Sequence, residues 1–155
     1  MSKGIPYSSL IVGIPRENFQ NERRVSLTPQ NAAVLRKKGF NKVLVEHNAG
    51  AQAQFLDDQY AAAGATLVTR EELFKTANIL LKVRPPLLGH EAESITEGST
   101  LISFLYPRQN KATVEALASR KINALAMDMI PRISRAQVFD ALRYIYSFYS
   151  FTLTL

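Results

Sequence analysis

The chain has 155 residues, 46% of them hydrophobic and 21% charged, which suits one folded domain with a sizeable core and excludes wholesale disorder. It has no cysteine, which excludes disulfides and thiolate metal sites, and its two histidines, His47 and His90, lie too far apart in sequence to suggest an imidazole site. A net charge of +6 could serve an anionic cofactor, nucleic acid or an acidic membrane surface; its basic residues are spread, with Arg23-Arg24 and Lys37-Lys38 the densest pairs, so no nucleic-acid interface is expected.

The start, Met1 to Pro6, lacks the apolar stretch of a secretory signal and the Arg-rich pattern of a transit peptide. No apolar run reaches the roughly 18 residues of a membrane span, so the chain reads as a soluble domain. Leu10–Ile14 reads as a buried strand. Thr28-Pro29 then opens a helix, with Thr28 as N-cap and Pro29 in the first turn, and Gly39 ends it. Val43–Glu46 is the second strand. Asp57 is expected to cap a short helix that runs through Ala63 and stops at Gly64, and Thr66–Val68 is a third strand. Thr69-x-x-Glu72 has the form of a capping box and predicts a helix to about Thr76. Ile79–Val83 is a fourth strand, stopped by Pro85-Pro86, and Leu101–Leu105 a fifth. Residues Pro85 to Gly98 form the least regular stretch and read as a surface excursion. Asn110 is expected to cap a helix to about Arg120, Ala124–Met127 is a sixth strand, and Ser134-x-x-Gln137 is a second capping box opening a final helix.

Short apolar strands alternating with helices imply parallel pairing and right-handed crossovers. The expected fold is therefore a single domain with an open, doubly wound, mostly parallel α/β sheet, Rossmann-like or flavodoxin-like, with helices on both faces. Ligands of such a sheet sit off the carboxyl ends of the strands. Four segments should meet there: Pro15 to Thr28, Lys82-Val83-Arg84, Tyr106 to Asn110, and Met127 to Asp140.

Within these segments Lys82 stands out, because a lysine inside an apolar strand must reach solvent, a carboxylate or a ligand. It either snorkels from the strand end or contacts a ligand. Arg24 is a ligand contact or a solvated loop charge, and Tyr106-Pro107 a pocket wall or a simple strand exit. Arg132, Gln137 and Asp140 place a guanidinium, an amide and a carboxylate beside a helix start, a set suited to holding a polar ligand rather than breaking a bond. Capping alone would also explain Gln137, and the helix dipole Asp140. No catalytic residue and no metal site are expected. The seven glycines form neither GxGxxG nor a P-loop, so the chain shows no pyrophosphate cradle of its own.

Several stretches agree in order with one family: Val12 to Glu17, Asn21 to Pro29, Ala49-Gly50, Ala62 to Ala65, Leu80 to Val83, and the loop Pro131 to Asp140. Residues 1–143 resemble the N-terminal domain shared by alanine dehydrogenases and the alpha subunit of proton-translocating NAD(P) transhydrogenases. In alanine dehydrogenases, residues at the positions of Arg24 and Lys82 hold the keto acid, and a histidine serves as acid/base where this chain has Tyr106. That difference argues for the transhydrogenase branch, in which the loop matching Arg132, Gln137 and Asp140 reaches over the nicotinamide. The resemblance implies NAD(H) as cofactor, with NADP(H) engaged only by domains beyond this chain. It implies hydride transfer between the two, coupled to proton translocation. As partners it implies the NAD-binding, membrane and NADP-binding domains of the complete enzyme, with homodimeric pairing of the NAD-side domains. The setting it implies is the mitochondrial matrix side of the inner membrane or the bacterial cytoplasm. The alternatives are an alanine or saccharopine dehydrogenase-like substrate domain, and a non-catalytic partner-binding module. Residues 144–155 depart from the family as an uncharged aromatic tail, read as a truncation, and the chain by itself is expected to be an inactive fragment.

Overall fold

The computed structural model describes residues 4–130. Its sheet has six strands in the order β3-β2-β1-β4-β5-β6: β1 Ile11–Ile14, β2 Lys42–Glu46, β3 Thr66–Val68, β4 Ile79–Leu81, β5 Thr100–Ser103 and β6 Asn123–Ala126. Every pairing is parallel. The helices are α1 Pro29–Lys37, α2 Asp57–Ala62, α3 Arg70–Thr76 and α4 Lys111–Ser119. This is the expected α/β class. Its strand order is that of the Rossmann type, with the direction of winding reversing between β1 and β4.

Alternation along each strand divides the core between two faces. Val12, Ile14, Val43 and Val45 pack with Ala32 of α1 and Tyr60 of α2. Leu44, Leu80 and Leu101 pack with Leu73 and Phe74 of α3 and Leu117 of α4. On β1 the fit against α3 is closest at Gly13, where an added Cβ would lie 2.7 Å from the Ala77 Cβ and 2.9 Å from Leu73. Only hydrogen at that position lets the helix lie against the strand. At the β6 edge Leu125 is 53% exposed among the described residues.

Several local readings hold. Thr28 Oγ1 accepts from the Asn31 N–H and Thr69 Oγ1 from the Glu72 N–H, so both helices start where their caps lie. Gly39 and Gly64 take positive φ after α1 and α2, as helix-ending glycines do. Three expectations need correction. Asp57 is not a cap: Leu56 holds that position, its N–H donating to Gln59 Oε1. The Asp57 carboxylate instead accepts from the Asn48 N–H at 2.9 Å and lies 3.3 Å from His47 Nδ1. Asn110 occupies the N-cap position of α4, but its amide turns back to donate to the Leu105 and Tyr106 carbonyls. Residues 85–98 are irregular but are no surface excursion, since Glu91, Ala92 and Ile95 among them are buried.

No described helix is long and apolar enough to cross a membrane. The second capping box, Ser134 to Gln137, and the aromatic tail from Tyr144 onward lie outside the described residues.

Candidate functional site

β1 and β4 are the adjacent strands from which the chain leaves in opposite senses, and the loops beyond their carboxyl ends bound a crevice. A cavity of about 380 Å³ opens there, lined by Arg24 and Ser26 after β1, Lys82 after β4, Phe104 and Tyr106 after β5, and Met127 after β6. The three candidate pocket residues Arg24, Lys82 and Tyr106 therefore line one space. Arg132, Gln137 and Asp140 lie outside the described residues.

Lys82 does not snorkel. Its side chain is 1% exposed, and its ammonium lies 3.3 Å from Glu17 Oε2 and 3.3 Å from Glu91 Oε2. Both carboxylates are fixed by backbone. Glu17 accepts from the Val83 and Arg84 N–H groups, and Glu91 from that of Leu87. Arg70, the first residue of α3, extends the network. Its Nε donates to both oxygens of Glu46, one terminal nitrogen to Glu91 at 3.0 Å, and the other to the Arg16 carbonyl and Asn18 Oδ1. A buried charge costs several kcal/mol unless paired and hydrogen-bonded, and every charge here is both. The network joins the ends of β1, β2 and β4 to the 85–98 segment. Of the three destinations expected for Lys82, it reaches a carboxylate, but Glu91 as one of its partners has no local sequence signal; the apolar spacing of Ala92 and Ile95 was the one clue that its segment is buried.

Arg24 is not simply solvated either. Glu22 accepts from its Nε and from one terminal nitrogen, both at 2.7 Å, in a two-pronged pair. The same carboxylate accepts from Arg84 Nε at 2.7 Å, and the Arg84 guanidinium lies over the Phe19 ring, 4.8 Å from its centroid. Arg84 and Phe19 line a second cavity of about 340 Å³, of which Tyr106 is also a wall.

Tyr106 is more than a strand exit. Its φ is +46°, in the left-handed region that costs a residue with a Cβ. Asp128 holds it there: the carboxylate accepts from the Leu105 N–H at 2.7 Å and the Tyr106 N–H at 3.1 Å. The Asn110 amide clamps the carbonyls of the same two residues. Asp128 is thus a positioning residue that its neighbours in sequence did not reveal.

Hydrogen bonds from Arg24, followed by its backbone N–H and by Arg84, hold the Glu22 carboxyl down to about 2, against an ordinary 4.5, although burial opposes the shift. The same pairing raises the Arg24 guanidinium further above its ordinary range. Because the folded value of Glu22 lies below the unfolded one, the unfolded chain takes up its proton first as pH falls. The stabilisation is complete above about pH 4.5 and drains away down to pH 2. Half-exposed Arg24 is screened by solvent, so the contribution at neutral pH should be about 1–3 kcal/mol. Urea melts of the parent and of Glu22→Gln at a series of pH values should show a gap that closes below pH 4. A gap that is constant with pH would mean that the pair contributes through packing alone.

Chemically, the first cavity offers orientation. No histidine lines it: His47 lies beside Asp57, and His90 sits in the exposed part of the 85–98 segment. Among the described residues, no group of three His, Cys, Asp or Glu side chains is placed to hold a metal ion.

A family model described as "Alanine dehydrogenase/PNT, N-terminal domain" matches residues 13–148. The NAD(P) transhydrogenase subunit alpha of Cereibacter sphaeroides is 47% identical over 132 residues, covering 84% of this chain and 25% of that protein. The subunit of the same name from Haemophilus influenzae is 43% identical over 133 residues, covering 86% and 25%. The crystal structure of transhydrogenase from Sinorhizobium meliloti matches with a TM-score of 0.80 at 36% identity, over 85% of this chain and 39% of that one. The chain thus spans about a quarter of the length of those two curated relatives. The family model takes in nearly the whole sequence, and the chain belongs to the alanine dehydrogenase/PNT N-terminal domain family.

Proposed function

We propose that this chain is the N-terminal domain of an NAD(P) transhydrogenase alpha subunit. It contributes to NAD(H) binding and to hydride transfer between NAD(H) and NADP(H), coupled in the complete enzyme to proton translocation. Arg132, Gln137 and Asp140 are the residues assigned to the cofactor, and Arg24, Lys82 and Tyr106 the walls of the adjoining pocket. NADP(H), the membrane segments and the glycine-rich NAD domain belong to the rest of the enzyme, and residues 1–143 taken alone should bind NADH weakly or not at all.

One observation carries this reading. The pocket has Tyr106 where amino-acid oxidation would need a proton acceptor that works near neutrality, and no histidine lines the cavity. Direct hydride transfer between two nicotinamides needs no such group, only two rings held in contact. The names and identities of the Cereibacter and Haemophilus relatives support the same branch.

The test is a chimera in which residues 1–143 replace the corresponding stretch of the Haemophilus subunit, assembled with its partner subunit. It should transfer hydride from NADH to an NADP analogue and produce no NADH from alanine between neutral and alkaline pH. Robust alanine-dependent NADH production that disappears in Tyr106→Phe would move the chain to the dehydrogenase branch.

A further inference from the structure

The second cavity shares one wall with the first, Tyr106, and the two linings otherwise differ. Its other walls come from the loop after β1, the Pro85-Pro86-Leu87-Leu88 stretch after β4, and the start of α4. Four large apolar side chains that stand exposed in the described residues, Phe19, Leu87, Leu88 and Tyr106, gather around it. Such a gathering marks a binding surface more often than scattered exposure does. The walls are also pinned from behind. Arg84 Nε donates to Glu22 at 2.7 Å, and the guanidinium lies over Phe19. The Leu87 N–H donates to buried Glu91 at 3.0 Å. Asp128 and the Asn110 amide hold the Tyr106 backbone, and the two prolines fix their own φ. A site whose walls are set before its ligand arrives loses little freedom on binding.

We propose that this second cavity is a ligand site in its own right, taking a small, flat aromatic molecule that carries a hydroxyl on its edge. The volume of about 340 Å³ suits a small molecule. The lining has the matching make-up, mostly apolar and aromatic with a few polar groups. Two aromatic rings and two proline rings among the walls favour a flat ring over a puckered one of the same size, because flat faces stack. The Arg84 guanidinium adds a cation beside the ring system, and an aromatic ligand gains from that charge where a saturated one does not. The Gln109 amide and the Thr113 hydroxyl supply neutral partners for the ligand's own hydroxyl. The ligand need not take part in hydride transfer, to which the first cavity is assigned.

The probes are 2-naphthol and its saturated counterpart, decahydro-2-naphthol, which share a hydroxyl and a carbon skeleton and differ in flatness. Each is titrated into the full chain at neutral pH, following backbone amide resonances, which also report the fold in the same sample. The parent should bind 2-naphthol about tenfold more tightly than the saturated alcohol. The shifted resonances should centre on residues 19, 87–88 and 109–113. Phe19→Leu keeps apolar bulk without the ring, and should weaken 2-naphthol about fivefold while moving the saturated alcohol by about twofold or less. Tyr106→Gly removes the other ring, suits the positive φ at that position, and should act in the same direction. Met127→Ala alters only the first cavity and should leave both affinities within about twofold. Absence of saturable binding of 2-naphthol, or a preference for it below about threefold, overturns the proposal. So does parent-like binding in either ring variant that keeps the parent's amide spectrum. Shifts centred on residues 24–26 and 127, with affinity lost in Met127→Ala, overturn it as well by placing the ring in the first cavity.

Discussion

Lys82→Ala should destabilise the fold by about 3–5 kcal/mol, the cost of leaving buried carboxylates without their counter-charge. The loss comes from what remains rather than from what is removed. Glu17 and Glu91 are both almost fully buried, and the ammonium between them lies 3.3 Å from each. Without it, two like charges face each other in a low-dielectric setting, held by backbone N–H groups, the Asn18 amide and Arg70. The packing part of the effect is separable. Lys82→Met keeps most of the side-chain volume, and pairing it with Glu91→Gln removes one negative charge along with the positive one. That double variant should recover a substantial part of the loss. Urea denaturation at neutral pH measures all three. A loss below about 1 kcal/mol for Lys82→Ala would be typical of an exposed pair, and would mean that water reaches the network.

The second large effect belongs to the chimera. Gln137→Ala and Asp140→Ala should each slow single-turnover hydride transfer by about a hundredfold, while NADH affinity changes by about threefold or less. The expectation rests on the proposed function, because both residues lie outside the described part of the chain. Two rings react only when held in contact and in line, so a side chain that steadies one of them acts on the rate more than on binding. A misplacement of about 1 Å is enough for an effect of that size. Rates equal to the parent's in Gln137→Ala would leave that residue with nothing more than a capping role.

The sheet was legible because its signals are local. An apolar run such as Val43–Val45 declares a strand by itself, and Thr28-Pro29 and Thr69-x-x-Glu72 start helices through bonds made within three residues. The topological argument also reached the site, since loops after β1, β4, β5 and β6 do converge on one cavity. What stayed illegible is non-local. Lys82 was visibly anomalous and Glu17 lay in a segment expected at the same sheet edge, but nothing local pairs the two across 65 positions or shows the buried face of the irregular stretch that holds Glu91. Asp57 has the form of a cap and is drawn instead to the Asn48 N–H across the turn that follows β2. Asp128 was passed over because its task, holding Tyr106 at positive φ, exists only once β5 and β6 lie side by side. Glu22 was two residues from Arg24 all along, but a neighbouring charge becomes a partner only when the loop turns back on itself.

The seam between β1 and β4 pairs only Val12 with Ile79 and Gly13 with Leu80, whereas β1 and β2 pair along four positions. The buried charges cross that same seam, and they are made at different times. On a ribosome Glu17 and Glu46 emerge well before Lys82 and Glu91, so the first three strands can assemble while their carboxylates still need water. Closing the core early would strand those charges, and the expense of doing so favours an open crevice until the fourth strand arrives. The crevice at the candidate site is thus also where charges from the first and last parts of the network meet.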